Sequence, residues 1–228
     1  MELTGPRRAA VLAAYRPERP GTRVHVLGRW TTAPVEAVER LVPREGDVLE
    51  VGCGVGLVSV DLALAAPGRR VLAVDVDPTK TAVARRAAGR AGVGDRVQVE
   101  DVDPGWRPPA GSFDAVVVVD VLYLLGRQAA LDLLDVLVVA LRPGGVLVVK
   151  EMAAAPRWKA AWTNVQEAVA VRGLRVTSGS TVELVPTEDL AAHLSRHGLA
   201  VRTVPLDQGH LHPHAALVAG PVPEDRQV

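Results

Sequence analysis

The sequence predicts an α/β fold with a doubly wound, mostly parallel sheet of seven strands. Apolar segments typical of buried strands alternate with segments of helical character, and the connections between them are a few residues long. The valine run of 113–119 lacks polar alternation, which is typical of a strand that is buried on both faces. The last two apolar segments have no predicted helix between them, which favours an antiparallel final pair.

The elements are predicted from the N-terminus onwards. Residues 1–45 are expected to form an N-terminal helical cap, and residues 46–228 are expected to form the core domain. The predicted strands are 47–52, 70–75, 96–100, 113–119, 146–150, 199–205 and 215–219. The predicted helices are 56–66, 78–91, 128–141, 156–171 and 187–196. Pro78 suits the first turn of its helix, and Gly198 suits the position after the end of the last helix.

Composition argues against several classes of protein. The 228 residues include 26 Lys+Arg and 26 Asp+Glu, so the net charge of zero gives no general attraction to nucleic acid. The single cysteine, Cys53, cannot form an internal disulfide. No apolar run reaches the roughly 18 residues of a membrane helix, and the short stretch 9–15 lacks a cleavage site behind it. We therefore expect a cytoplasmic protein with no membrane span and no nucleic-acid partner.

A glycine-rich turn follows the first predicted strand and opens a helix. Gly52, Gly54 and Gly56 are spaced G-x-G-x-G, with Cys53 inside the turn. This spacing differs from the G-x-G-x-x-G of dinucleotide-binding proteins, and the G-K-[ST] of a phosphate-binding loop is missing. Glu50 stands two residues before the first glycine, where a carboxylate would repel pyrophosphate but could attract the cationic end of an amino acid.

Acidic residues stand at the carboxyl ends of four predicted strands, namely Glu50, Asp75, Asp101 and Asp120. Ligands of open parallel sheets bind at this edge. Asp75 follows Gly56 by nineteen residues and could bind both hydroxyls of a ribose. Asp101 could accept a hydrogen bond from an adenine amino group, with Val102 beside the ring. Asp120 could contact the ligand or stabilise the fold.

Five segments together carry a family resemblance. VLEVGCGVG, VLAVDVDP, VQVEDV, FDAVVVVDVLYLL and LRPGGVLVV resemble, in order and spacing, the motifs of class I S-adenosylmethionine-dependent methyltransferases. The resemblance is strong over 47–150 and weaker through Gly220. It implies a Rossmann-like sheet of order 3-2-1-4-5-7-6 with strand 7 antiparallel. Later segments also resemble a bacterial subgroup of small-molecule methyltransferases.

The resemblance implies a set of cofactor-binding residues. The three glycines would hold the methionine part of S-adenosylmethionine, with Glu50 near it. Asp75 would bind the ribose, and Asp101 with Val102 would bind the adenine. The full predicted set is Glu50, Gly52, Cys53, Gly54, Gly56, Asp75, Val76, Asp101, Val102 and Asp120.

Histidines near the C-terminus are candidates for a general base. The loop 206–214 joins the last two predicted strands and contains His210 and His214, and His is the natural base near neutral pH. We predict His214 first and His210 second, with Tyr123 as a further candidate. Members of the family often place histidines shortly after the position of Asp120, where this sequence has Tyr123 and Leu124, so one possible general base of the family is missing here. A solvated loop and a metal site are the alternatives for these histidines, but no acidic residue adjoins them, and we predict no metal. His193 and His197 are expected at the surface.

Tryptophans are candidates for the acceptor pocket. Trp30, Trp158 and Trp162 could line an apolar pocket, although they could equally pack the additional helices on the core. Lys150 and Glu151 could pair with an anionic substrate, but a solvated face is the favoured interpretation.

The predicted function is methyl transfer from S-adenosylmethionine to a small-molecule acceptor, with oxygen as the expected atom and S-adenosylhomocysteine as the product. An apolar acceptor from natural product biosynthesis is expected. Two alternatives remain open. The first is an NAD(P)-dependent oxidoreductase, which the shifted third glycine disfavours. The second is a non-catalytic S-adenosylmethionine-binding partner protein. The sequence leaves the oligomeric state undecided.

Overall fold

The computed structural model describes residues 5–152, 185–206 and 214–220. Within these ranges the strands form one sheet in the order β3-β2-β1-β4-β5-β7-β6. β7 is antiparallel to both of its neighbours, and the other pairs are parallel. The predicted fold class and strand order are therefore confirmed. The strands are β1 (Glu45–Val51), β2 (Gly68–Asp75), β3 (Val97–Asp101), β4 (Phe113–Val119), β5 (Leu141–Met152), β6 (Ala200–Pro205) and β7 (His214–Gly220).

Helices cover both faces of the sheet. The described helices are α1 (Pro6–Ala14), α2 (Pro20–Thr32), α3 (Val35–Glu39), α4 (Leu57–Ala65), α5 (Pro78–Arg90), α6 (Arg127–Ala140) and α7 (Thr187–Ser195). Helices α1 to α5 share one core cluster with the sheet, and α6 and α7 share the other. None of the helices in the described ranges has both the length and the apolar character that crossing a bilayer requires. The predicted helix 156–171 lies outside the described residues.

The central strand β4 is buried on both faces, as its valines predict. Val117 packs in the cluster with α1 to α5, whereas Val116 and Val118 pack in the cluster with α6 and α7. All three side chains are inaccessible to solvent. This burial fixes the strand whose carboxyl end leads directly to Asp120.

Strand β5 begins at Leu141, earlier than the predicted 146–150. The Pro-Gly-Gly segment was expected to end a helix and form a turn, but it lies inside the strand, with a register shift opposite Phe113 and Ala115. A Cβ on Gly145 would lie 3.1 Å from the Phe113 carbonyl oxygen, so glycine allows the two backbones to approach closely. The glycines therefore form a bulge in the strand instead of a break before it.

A buried arginine joins the N-terminal helices to the sheet. Arg69 on β2 is inaccessible to solvent, and its guanidinium donates to the Glu39 carboxylate at 2.8 Å. It also donates to four backbone carbonyls, those of Glu39 (3.2 Å), Val42 (2.7 Å), Pro43 (2.6 Å) and Leu62 (2.9 Å). Such a network satisfies the charge and the five donors of the guanidinium, which would otherwise be costly to bury. The segment after α3 is thereby held against β2.

Candidate functional site

The three glycines of the turn after β1 have different surroundings. All have positive φ, at +74° for Gly52, +55° for Gly54 and +79° for Gly56. A Cβ on Gly52 would overlap the side chain of Val121, and one on Gly56 would lie 2.7 Å from Ala84. A Cβ on Gly54 would meet no atom within 4 Å. The outer glycines therefore allow close packing, whereas the middle glycine leaves open space that a ligand could fill.

The carboxylate of Asp75 holds this turn in place. The Gly54 N–H donates to one carboxylate oxygen at 2.7 Å, and the Asp77 N–H donates to the other at 2.9 Å. The N–H groups of Gly52 and Cys53 both donate to the Val74 carbonyl. Because each carboxylate oxygen has more than one lone pair, Asp75 could still accept hydrogen bonds from ligand hydroxyls.

Glu50 is a buried acid at the end of β1. Its carboxylate accepts a hydrogen bond from the Ser59 hydroxyl on α4. Burial raises the pKa of Glu50 to about 7, although the bond from Ser59 opposes this shift. Burial also raises the pKa of the Cys53 thiol, so this group stays protonated. Glu50 can thus change charge near neutral pH when a cationic group arrives.

Tyr15, at the end of α1, reaches the glycine turn. Its buried hydroxyl donates to the Val55 carbonyl at 3.0 Å, and burial raises the pKa of the phenol. This contact could not be predicted from the sequence, because a lone tyrosine at a helix end gives no signal of a partner forty residues away. The N-terminal helices therefore support the turn directly.

The edge near β3 combines an exposed valine with an acid that already has partners. Val76 is exposed after β2, and the half-buried Val102 donates its N–H to the Asp75 carbonyl. The Asp101 carboxylate accepts from the Thr81 hydroxyl and from Arg85 at 2.9 Å. These two bonds lower the pKa of Asp101. Its hydrogen bond to adenine stays a prediction, since the adenine amino group would have to use a lone pair of the carboxylate that Thr81 and Arg85 leave free.

Asp120 forms an ion triad with Arg29 and Lys150, in which Asp120 and Lys150 are buried. Its carboxylate accepts from Arg29 of α2 at 2.6 Å and from Lys150 of β5 at 2.6 Å. Burial raises the pKa of Asp120, but the two cations lower it more, so the net shift is downward. Asp120 also has a positive φ of 55°, which is uncommon for a residue other than glycine. These contacts join α2, β4 and β5 at the carboxyl edge of the sheet.

The expectation of a solvated face for Lys150 and Glu151 is wrong. The Lys150 side chain is fully buried beside Asp120, and Glu151 is 8% exposed. Glu151 accepts from the N–H groups of Val121 and Leu122 at 3.1 and 2.8 Å, and burial raises its pKa to about 8. Both residues are covered because β5 lies between β4 and β7. The signal in the sequence was Asp120, because an acidic residue at the end of the adjacent strand offers a partner for a buried Lys150.

Arg29 is a further site residue that the sequence did not indicate, whereas its neighbour Trp30 was predicted to line the acceptor pocket. Burial lowers the pKa of Arg29, but Asp120 raises it more, with further contributions from Tyr123 and Glu151. Tyr123 is half-buried on a short 3-10 helix, Leu122–Leu124, so it belongs to the same electrostatic cluster. Trp30, on α2 itself, is buried in the core, a position that favours the packing alternative over a pocket wall.

His214 begins β7 at the same edge of the sheet, paired with Met152 at the end of β5. Its Nε2 lies 2.6 Å from the Thr32 carbonyl oxygen at the end of α2. Because a carbonyl only accepts, Nε2 carries the proton in this contact. A role as general base at Nε2 would require this bond to break. The predicted residues His210, Trp158 and Trp162 lie outside the described residues, as does His212.

The residues around Gly54 fit a ligand that combines an amino acid with a nucleoside. The open space at this glycine adjoins a carboxylate suited to a diol, Asp75, and a buried acid suited to an ammonium group, Glu50. The exposed Val76 offers an apolar surface to a ring. S-adenosylmethionine carries all of these groups.

Comparison with known proteins gives the family. A family profile described as "Methyltransferase domain" matches residues 48–145. The chain is 32% identical over 165 residues to a ubiquinone biosynthesis O-methyltransferase of Xanthomonas axonopodis pv. citri, covering 72% of this chain and 67% of that one. The chain therefore belongs to the class I S-adenosylmethionine-dependent methyltransferases, and S-adenosylmethionine is its cofactor.

Solved structures share the fold. An O-methyltransferase family protein from Burkholderia thailandensis has a TM-score of 0.70 and 17% identity, over 93% of this chain and 63% of that one. A SAM-dependent methyltransferase from Aquifex aeolicus has a TM-score of 0.62 and 17% identity, over 93% of this chain and 98% of that one. At these identities the likeness concerns the fold alone, and the chain spans less than two thirds of the Burkholderia protein.

Proposed function

We propose that this protein transfers the methyl group of S-adenosylmethionine to an oxygen atom of a small-molecule acceptor. The observation that carries the proposal is the position of α2 over the carboxyl edge of the sheet. Arg29 contacts Asp120 and Thr32 contacts His214, so this helix covers the edge beside the open space at Gly54. A covered edge suits a small acceptor better than a macromolecular surface. The O-methyltransferase name of the Xanthomonas relative supports oxygen as the atom.

The proposed cofactor contacts follow from this geometry. Glu50 would pair with the ammonium group and Asp75 with the ribose hydroxyls, while the backbone around Gly54 would approach the methionine part. Val76, Val102 and Asp101 would surround the adenine. Asp120 would act through Arg29 and Lys150, as the residue that positions α2 against the sheet. The outer glycines and Cys53 would shape the turn.

The bound cofactor supplies an activated methyl group on its sulfonium. Transfer would join the acceptor oxygen to the methyl carbon as the carbon–sulfur bond breaks, and the electron pair of the broken bond would stay on sulfur in S-adenosylhomocysteine. Alignment of the reacting atoms contributes about 7–11 kcal/mol in well-oriented pairs. A neutral hydroxyl must also lose its proton, for which His214, His210 and Tyr123 are the proposed candidates.

An acceptor panel tests the proposal. The full chain is incubated with methyl-labelled S-adenosylmethionine and with phenols, catechols and hydroxyquinones, each matched to an amine on the same scaffold. We expect S-adenosylhomocysteine and labelled methoxy groups with the hydroxyl compounds. Transfer only to the amines or to carbon would contradict the choice of oxygen. Asp75→Ala serves as the control that separates enzymatic transfer from background.

The same experiment separates the alternatives. Cofactor binding with no product from any acceptor class would favour a non-catalytic binding protein. Binding of NAD in place of S-adenosylmethionine would favour the oxidoreductase. We further propose the cytoplasm as the location, natural product biosynthesis as the role and no nucleic-acid partner, together with the division into a cap (1–45) and a core (46–228).

A further inference from the structure

A cluster of three potential metal ligands lies between α6 and α7, outside the candidate site. The Nε2 atoms of His193 and His197 lie 2.5 and 2.6 Å from the same carboxylate oxygen of Asp135. The two imidazole rings are 5.5 Å apart and meet edge to face. One ligand atom from each residue lies within 4.8 Å of the other two. The three side chains therefore converge on one point.

The two helices hold this arrangement in register. His193 and His197 are four residues apart, which places both on one face of a helical turn. Eight residues before Asp135, Arg127 pairs with Asp189 of α7 at 2.6 Å. The two helices thus run in the same direction with two polar connections between them. Leucines of α6 and α7 also pack in a shared core cluster.

The cluster is far from the glycine turn. Asp135 is eight residues into α6, or about 12 Å along a helix that starts near the carboxyl end of β4. His197 stands three residues before β6, and the first residue of β6 pairs with the last residue of β7. Both observations place the cluster toward the opposite edge of the sheet, away from the proposed methyl transfer.

We propose that Asp135, His193 and His197 bind a divalent transition-metal ion, with Zn²⁺ as the best match. Two imidazole nitrogens and one carboxylate oxygen form a ligand set that zinc prefers, and the fourth position would be open to water. Zinc–ligand distances of about 2.0–2.2 Å require the three atoms to separate by roughly 1 Å, which side-chain rotation can provide. In both histidines Nε2 is the nitrogen that faces the Asp135 carboxylate, so Nε2 is the ligating atom.

The bound ion would connect α6 to α7. Because α6 leads into β5 and α7 leads into β6, a metal bridge would hold two separate parts of the sheet together. Metal binding to the folded chain raises its stability in proportion to the logarithm of the metal concentration above the dissociation constant. The ion would therefore stabilise the fold without taking part in methyl transfer.

Titration of the metal-free, untagged full chain with Zn²⁺ tests the site. We expect one Zn²⁺ per chain and a higher thermal midpoint with the metal. His193→Gln, His197→Gln and Asp135→Asn should each weaken Zn²⁺ binding by at least about tenfold and remove the thermal shift. Asp132→Asn on the same helix and His25→Gln on α2 are matched controls that should bind as the unchanged chain does. Circular dichroism checks that each variant is folded.

Two results would overturn the site. One is the absence of saturable Zn²⁺ binding at micromolar concentrations in the unchanged chain. The other is binding that persists in the three ligand variants but is lost when His210 and His212 are replaced by glutamine, because the ion would then belong to the 206–214 loop. Substituting Co²⁺ adds an independent measurement, since its visible absorption should change in the ligand variants and not in the controls.

Discussion

At the scale of single residues, the protonation of Glu50 links pH to stability. Its folded pKa of about 7 lies above the ordinary 4.5, so the native state holds a proton that the unfolded state releases. Stability should therefore fall as pH rises from about 4.5 to 7, by roughly 3 kcal/mol at most for this group. Glu50→Gln should remove that part of the pH dependence.

Urea unfolding of both proteins between pH 5 and 8 measures this difference. Asp61 and Glu151 also have raised pKa values, near 7 and 8, and they contribute a loss of the same sign in both proteins. The comparison of the unchanged chain with Glu50→Gln isolates one carboxyl group. Parallel stability curves for the two proteins would show that Glu50 has no raised pKa.

A second prediction at this scale concerns Asp75. Asp75→Ala should weaken S-adenosylmethionine binding by about a hundredfold or more, because it removes the proposed ribose acceptor and the bond that holds the Gly54 N–H. Asp75→Asn should have a smaller effect, since an amide oxygen can still accept from Gly54. Calorimetric titration gives the affinities. Asp95→Asn, an exposed acid, is the control. Equal affinities for Asp75→Ala and the control would refute the ribose assignment.

At the scale of elements, two glycines in the turn after β1 should affect different properties, one the binding of the cofactor and the other the stability of the fold. Gly54→Ala should cost about 1–2 kcal/mol for its left-handed backbone, and the new methyl group should enter the space proposed for the cofactor. Gly56→Ala adds an overlap with Ala84 on α5, so its cost should be roughly 2–5 kcal/mol. Gly54→Ala should therefore lower mainly the affinity for S-adenosylmethionine, whereas Gly56→Ala should lower mainly the stability of the fold. Equal stability losses would contradict the packing role of Gly56.

The strands show how far the sequence could predict the fold. The boundaries of segment 113–119 can be seen in its own apolar sequence, so the prediction agrees with β4 (Phe113–Val119). The start of β5 was misplaced because a glycine bulge in a strand has the same local sequence as a turn. Glu50 and Asp75 could be chosen from strand-end positions alone. Arg29 and Lys150 could not, because their burial depends on contacts between elements distant in the chain.

At the scale of the whole molecule, the ion triad determines how α2 is attached. Lys150→Met should cost about 3–5 kcal/mol, because it removes a fully buried cation from a buried carboxylate. Arg29→Met should cost less, about 1–2 kcal/mol, since the Arg29 side chain is 34% exposed. Urea unfolding provides both values. A larger loss of stability for Arg29→Met than for Lys150→Met would show that the contact of Asp120 with α2 contributes more to stability than its contact with β5.

The buried guanidinium of Arg69 also determines how the molecule unfolds. Detachment of the segment from Glu39 to Pro43 would remove the carboxylate partner of this buried charge and leave it the Leu62 carbonyl, at a cost of about 3–5 kcal/mol. A partly unfolded form with free N-terminal helices and an intact sheet should therefore be sparsely populated. The N-terminal helices and the sheet are expected to melt in one cooperative transition, with their slowest amide protons exchanging together.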